Sequence, residues 1–353
     1  MELIDILKQA AAKHASDIFI IAGLPLSYKI NNHITRMETE RLTPQQTQEL
    51  VMGIYYLAEG RDPAALQQRG DDDFSFSLVG VSRFRVSVYK QRGSLAAVIR
   101  VVAFSLPDPA QIGIPEQVLA LGQKMKGLVL ITGSAGSGKS TTLACIIDRI
   151  NQTRNAHVIT LEDPLEYLHR HSKSIISQRE ISTDTSSYVV ALRAALRQAP
   201  DVILLGEMRD YETINVAMTA AETGHLVLST LHTVGAANSV DRIIDVFPVQ
   251  QQAQVRVQLS MVLEAVVSQQ LVPTVDERVQ PAFEIMMCNS AIRNMIRESK
   301  IHQIDSVIAA GGGAGMRSMN GSLLELQKQG IIDARTAVEY SLTPDLMAKR
   351  LGL

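Results

Sequence analysis

The strongest chemical signal in the chain is GSAGSGKS, at positions 133 to 140, which satisfies G-x-x-x-x-G-K-[ST] in full. Gly133, Gly136 and Gly138 let successive backbone N–H groups turn inward around phosphate oxygens, with Ser134, Ala135 and Ser137 contributing their own amides to the cradle. Lys139 is placed to reach the outer phosphates, and the hydroxyl of Ser140, followed by Thr141, to ligate Mg²⁺. A chance glycine-rich turn would carry the same letters, so context decides. The run GLVLIT precedes the motif, and TTLACIIDRIN follows it with Leu143, Ile146, Ile147 and Ile150 on one helical face. Strand, loop and helix in that order predict binding of ATP at a helix N-terminus.

Hydrolysis requires in addition a carboxylate that orients water and a way to hold the metal. Two apolar runs end in acids: HVITLEDP delivers Glu162 and Asp163, and DVILLGE delivers Glu207. In open parallel sheets ligands sit beyond the carboxyl ends of the strands, where all three fall. Glu207 is the candidate general base or water-positioning residue, and Glu162 the candidate for the metal and water shell. The alternative is that they are ordinary polar strand ends. Two histidines flank another apolar run, His225 before it and His232 after it. Side chains alternate along a strand, so residues seven apart point to opposite faces and make a poor joint metal site. His232, past the carboxyl end, is the candidate for approach to the phosphates. His225, at the other end, faces another element, and a structural role is the competing reading.

The elements that must position these groups follow from pattern. At 353 residues the chain exceeds what one hydrophobic core usually serves, so about two domains are expected. Beyond residue 116, strand-length apolar runs alternate with helical stretches, which predicts a parallel α/β sheet covered on both faces. SLPDPAQIGIP, residues 105–115, holds three prolines and reads as an interdomain linker. The tail from 289 to 353 reads as helical, broken by AAGGGAG at 309–315, which is expected to form a mobile loop. We find no internal repeat.

The first 104 residues read as a small α/β unit. Leu3, Ile6, Leu7 and Ala10 share a helical face, Asn31-Asn32 predicts a hairpin turn, and Thr43-Pro44 predicts a capped helix start. Strict alternation follows at Phe74, Phe76 and Leu78, then at Phe84, Val86 and Val88. Arg83 and Arg85 fall on the opposite face from those apolar residues, with Arg92 beyond. Such a face is either simply solvated or a source of phosphate contacts.

Composition excludes several classes. Lys and Arg total 34 against 36 Asp and Glu, a net charge of −2 that gives no general attraction to nucleic acid or anionic membrane. No run is long enough to span a bilayer, the acidic N-terminus does not read as a secretory signal, and two cysteines give neither a disulfide framework nor a zinc knuckle. A reducing, cytoplasmic setting is the expectation.

The set GSAGSGKSTT, ITLEDPLEY, VILLGEMRDYET and TGHLVLSTLHT resembles the secretion and type IV pilus ATPase superfamily, with its Walker A, Asp-box, Walker B and His-box motifs in that order. Within it the chain is most similar to the twitching-motility (PilT) retraction ATPases, through QREI, AAETGHL, DRIIDVFP, SQQLVP and AIRNMI at 291–296. The resemblance implies a PAS-like N-terminal domain over 1–104, a RecA-like ATPase core over 116–288 and a helical C-terminal region over 289–353. It implies a homo-hexameric ring with nucleotide between the two domains. It also implies that Glu207 is the catalytic acid of Walker B, that Glu162 lies in the Asp box, and that His232 approaches the γ-phosphate. Arg83, Arg85 and Arg92 become phosphate candidates, and AIRNMI is implied to couple the ATP cycle to pilus disassembly. An inner-membrane platform protein is the implied partner, with the ring peripheral at the inner face of that membrane.

Three departures stand out. Ala135 replaces the usual Thr, which matters little where backbone amides do the cradling. Phe19 stands in SDIF where many relatives carry His. RQAPD at 197–201 replaces an acidic pair and is similar to the accessory retraction paralogue, which leaves main and accessory motors both open and implies a paralogous partner motor for the latter. Pilus-assembly and type II secretion ATPases typically carry a four-cysteine zinc insertion, and SQQLVPTVDERVQPAFEIM passes through that region without a cysteine. A DNA-translocation ATPase predicts a strongly basic pore, which the charge balance does not support.

Overall fold

The computed structural model describes residues 2–30, 33–37, 40–102 and 106–353. The chain divides into two compact units, Met1–Ser105 together with Leu165–Leu168, and Leu106–Pro164 together with His169–Leu353.

The first unit is an antiparallel sheet with helices on one face. Its strands are β1 (Asp17–Ile20), β2 (Ser27–Ile30), β3 (His33–Arg36), β4 (Asp71–Leu78), β5 (Ser82–Gln91) and β6 (Ser94–Val102), in the order β3-β2-β1-β6-β5-β4. Alternation sends Phe74, Phe76, Phe84, Val86 and Val88 into a core shared with Ile6 and Leu7 of the helix Leu3–Ala12 and Val51 and Ile54 of the helix Pro44–Leu57. Thr43 caps the second helix in a reciprocal box: its hydroxyl accepts from the Gln46 N–H while the Gln46 side chain accepts from the Thr43 N–H. The turn expected at Asn31-Asn32 lies outside the described residues, although Ile30 and His33 on either side are paired in register. Arg85 is exposed on the solvent face of β5, and Arg92 shares with Gly93 the two-residue turn from β5 to β6, both at positive φ. That is the primed geometry which matches strand twist.

The second unit contains β7 (Gly127–Thr132), β8 (His157–Glu162), β9 (Ile175–Glu180), β10 (Val202–Leu205), β11 (Leu226–Leu231), β12 (Leu263–Pro273) and β13 (Val279–Met287), ordered β13-β12-β7-β11-β10-β8-β9. The apolar runs are strands for the reason their composition gave. Leu128 and Leu130 of β7 enter one hydrophobic cluster while Val129 and Ile131 enter another, so both faces of the sheet are covered. Leu143, Ile146, Ile147 and Ile150 of the helix Lys139–Thr153 belong to the second of these. The sheet is not parallel throughout: β12 runs parallel to β7, but β13 returns antiparallel to β12 through a short connection. Sequence pattern alone could not separate that buried hairpin from another crossover. Three C-terminal helices, Met319–Lys328, Ala334–Glu339 and Pro344–Leu351, pack through Met319, Leu323, Ala337 and Met347 onto Val272 and Ala282 of the hairpin.

Two expectations need adjustment. Residues 106–115, expected as a linker, hold no helix or strand but fall within the second compact unit, where Ile114 joins a buried cluster; residue 105 lies outside the described residues. The glycine run is not a loop from end to end. Ala309 and Ala310 finish the helix Ile304–Ala310, and Gly312–Ala314 forms one 3₁₀ turn closed by Gly315 at φ 76°. Two alanines suffice to carry the helix to the first glycine, and a single turn costs little where a long helix would not form.

His169, between β8 and β9, is desolvated by its surroundings, which push its pKa down to about 4. The unfolded chain takes up that proton near the ordinary value of about 6.5, so between the two values the unfolded state binds more protons and stability falls as pH falls. The melting temperature should therefore drop between about pH 7 and about pH 4.5, and less so in His169→Gln. Identical drops in the two proteins would show that the ring is not desolvated.

Candidate active site

Backbone conformation builds the phosphate loop. Gly133, Gly136 and Gly138 take φ values of 143°, 77° and 87°, which side-chain-bearing residues rarely adopt. Gly138 is the N-cap of the helix Lys139–Thr153 and offers no side chain to cap it, so the helix presents its own first-turn amides and positive dipole end. Lys139 is nearly buried, and its Nζ donates to the carbonyl oxygens of Gly133 at 2.9 Å and Ser134 at 2.8 Å, which folds the lysine back over the loop. Ser137 is buried with an Oγ that has no hydrogen-bond partner among the described residues. Helix end, inward loop and overlying lysine suit a polyphosphate.

Strand order brings the acid and the histidine together. β11 lies between β7, which carries the loop, and β10, which ends just before Glu207. Glu207 is tied on both sides to β11: Thr230 Oγ1 donates to the Gly206 carbonyl at 2.6 Å, and the Met208 N–H donates to the Thr230 carbonyl at 3.2 Å. On the other flank the Gly206 N–H donates to Leu161 of β8 at 2.8 Å, one residue before Glu162. Glu207 Oε2 then receives His232 Nε2 at 3.2 Å and Arg209 Nε at 2.6 Å, while Oε1 takes part in neither contact. The carboxylate is 14% exposed whereas Arg209 is 74% exposed, so that ion pair orients more than it stabilises.

The turn after His232 is fixed from the hairpin. Ser268 Oγ accepts from the Gly235 N–H at 2.9 Å, and the buried Glu284 accepts from Ala236 at 2.7 Å and Met319 at 3.3 Å, the N-termini of two helices. Burial raises the Glu284 pKa above the ordinary range while those two amides oppose the rise.

The predicted residues divide cleanly. Residues 133–141, Glu162, Glu207 and His232 all belong to the second unit, and Glu207 with His232 are in direct contact. His225 is elsewhere: its Nδ1 lies 3.0 Å from the Ala220 carbonyl and 3.3 Å from Thr223 Oγ1, so it ties off the C-terminus of the helix Tyr211–Glu222. Arg83, Arg85 and Arg92 belong to the first unit. Sequence reasoning missed Arg209 and Tyr188. Burial first, then the carboxylates of Glu207, Asp163 and Glu162, push the Tyr188 phenol well above its ordinary value. A β-carbon on Gly206 would lie 2.8 Å from its hydroxyl, so the glycine before the acid makes room for the phenol. The only available hint was a glycine directly ahead of a strand-end acid.

Three adjacent parallel strands, with a phosphate loop on one, an acid on a second and a histidine on the strand between them, define a P-loop ATPase. The sequence profile of the Type II/IV secretion system protein family matches residues 2–317, and the chain belongs to that family. It is 40% identical over 345 residues to the type IV pilus retractation ATPase PilT of Pseudomonas aeruginosa, covering 98% of this chain and 99% of that one. It is 38% identical over 342 residues to the type IV pilus ATPase PilU of the same organism, covering 97% and 89% respectively. Among solved structures, that of the pilus retraction motor PilT with bound ADP superposes with a TM-score of 0.90 at 44% identity, covering 99% of each chain. The PAS-like first unit and RecA-like second unit follow that structure. Among the described residues no helix is long and apolar enough to cross a membrane.

Proposed function

We propose that this protein hydrolyses ATP as a homo-hexameric ring and uses the resulting domain motion to retract a type IV pilus at an inner-membrane platform protein. The observation that carries the reading is the contact of Glu207 with His232 beside a complete phosphate loop, in a chain matched end to end by a retraction motor. The loop amides of residues 133–138 and Lys139 hold the phosphates. Mg²⁺ takes oxygen ligands and is usually held by one or two protein groups together with substrate phosphates. The Ser140 hydroxyl and, through water, the Glu162 carboxylate supply that donor type. When bound, Mg²⁺ neutralises charge on the phosphates; Glu207 orients the attacking water, and His232 holds the Glu207 carboxylate while lying toward the γ-phosphate. A phosphate role for Arg83, Arg85 and Arg92 and a coupling role for AIRNMI belong to this reading through the family resemblance.

The near-equal identities to PilT and PilU, together with RQAPD at 197–201, favour a second reading as an accessory retraction motor acting with a paralogue. Surface pili and twitching in a deletion strain complemented with wild type or Glu207→Gln test both. Excess static pili, rescued by wild type alone, are expected. Retraction that persists in the deletion strain while a paralogue is present supports the accessory reading. Bald cells would mean a motor that drives assembly and would overturn retraction.

A further inference from the structure

The structure assigns Gln269 the role of positioning residue for the phosphate loop. It lies on β12, hydrogen-bonded beside the loop-bearing β7, and is 2% exposed. Its Oε1 accepts from Thr142 Oγ1 at 2.7 Å, and Thr142 is wholly buried in the first turn of the helix that starts at Lys139. Its Nε2 faces Gly138 so closely that a β-carbon there would come within 2.8 Å, and its backbone carbonyl closes against Gly133. One residue, 127 positions downstream of Thr142, thus touches the first glycine of the loop, the last glycine and the helix turn that carries Ser140.

The chemistry of the side chain fits that task. A neutral amide offers an acceptor to Thr142 and a donor edge to the loop without adding charge. Leucine would leave the Thr142 hydroxyl buried with no acceptor, and glutamate would keep the acceptor but set an anion against amides meant for phosphate. Ser268, the preceding residue, holds the turn after His232, so one strand gauges the separation between loop and histidine. This role rests on reading residues 133–141 as the nucleotide site. Gln269 acts through the loop and not on the nucleotide.

The test is binding of a fluorescent ADP analogue to the full chain, well below each variant's melting temperature, together with KM and kcat for ATP. Gln269→Leu should weaken binding on the order of tenfold and Gln269→Glu further, with KM rising more than kcat falls. Thr142→Val removes the same hydrogen bond from the other side, and the double variant Thr142→Val/Gln269→Leu should bind no more weakly than Gln269→Leu alone. Should Gln269→Leu fail to fold, Thr142→Val and Gln269→Glu decide. Affinities within about twofold of wild type in these variants, while Lys139→Ala loses binding, would overturn the role. Undiminished binding by Lys139→Ala would overturn the nucleotide site, and this role with it.

Discussion

Replacing Glu207 with glutamine should lower ATP turnover by about two to four orders of magnitude while ATP affinity stays within a few-fold of wild type. Glutamine keeps the shape of glutamate and an oxygen that His232 can still reach, but it cannot take up or direct a proton. The main competing explanation for lost activity is lost structure, and magnitudes argue against it. The substitution gives up the Arg209 ion pair, and with Arg209 74% exposed that pair contributes at most about 1 kcal/mol. The ladder bonds of Thr230 to Gly206 and Met208 involve backbone at the acid and are untouched. Phosphate release in the steady state, alongside equilibrium nucleotide binding, reads the two quantities separately. Turnover near the wild-type rate would remove Glu207 from the catalytic step.

Gly133→Ala should abolish nucleotide binding and destabilise the second unit. Two costs act at this position and differ in kind. Gly133 has φ 143°, and an L-residue in such a conformation pays roughly 1–3 kcal/mol. The new β-carbon would also collide with the Gln269 carbonyl and approach Ser137 Oγ to 2.7 Å. The serine can rotate away, but the carbonyl belongs to β12, a strand paired on both edges, so the second cost is the larger. Gly136→Ala is the natural comparison, because among the described residues nothing lies within 4 Å of a β-carbon there and only the φ cost at 77° applies. Melting temperature and ADP-analogue affinity should fall much further for Gly133→Ala than for Gly136→Ala. Equal losses would mean that close packing against β12 does not shape the loop.

What could be read from the sequence was local. The loop, its strand and its helix occupy one continuous stretch, so period and glycine spacing identified them together. Glu207 and His232 were legible as polar residues just past apolar runs. Their contact was not, because it depends on β10 and β11 being neighbours, and strand order leaves no mark on composition. Gln269 was invisible as a loop contact for the same reason: it reaches Thr142 across 127 residues. Nothing in the sequence sets Tyr188 apart from other helix residues or Arg209 apart from other surface charges. The edge hairpin also escaped, since a strand buried on both faces carries the same apolar run whichever way it is directed.

That hairpin bears on how far the motor could be trimmed. β12 pairs along almost the whole length of β7, and its residues from Ala265 to Ser268 are fully buried. A fragment ending at Val262 would keep the Walker A, Asp-box, Walker B and His-box motifs, yet would leave the phosphate-loop strand as a bare apolar edge, prone to pair with other copies. It would also strip the amides of Gly235 and Ala236 of their acceptors. The smallest soluble ATPase module in this chain therefore extends past its His box, at least through Met287, and a catalytic domain cut just after the His box should aggregate.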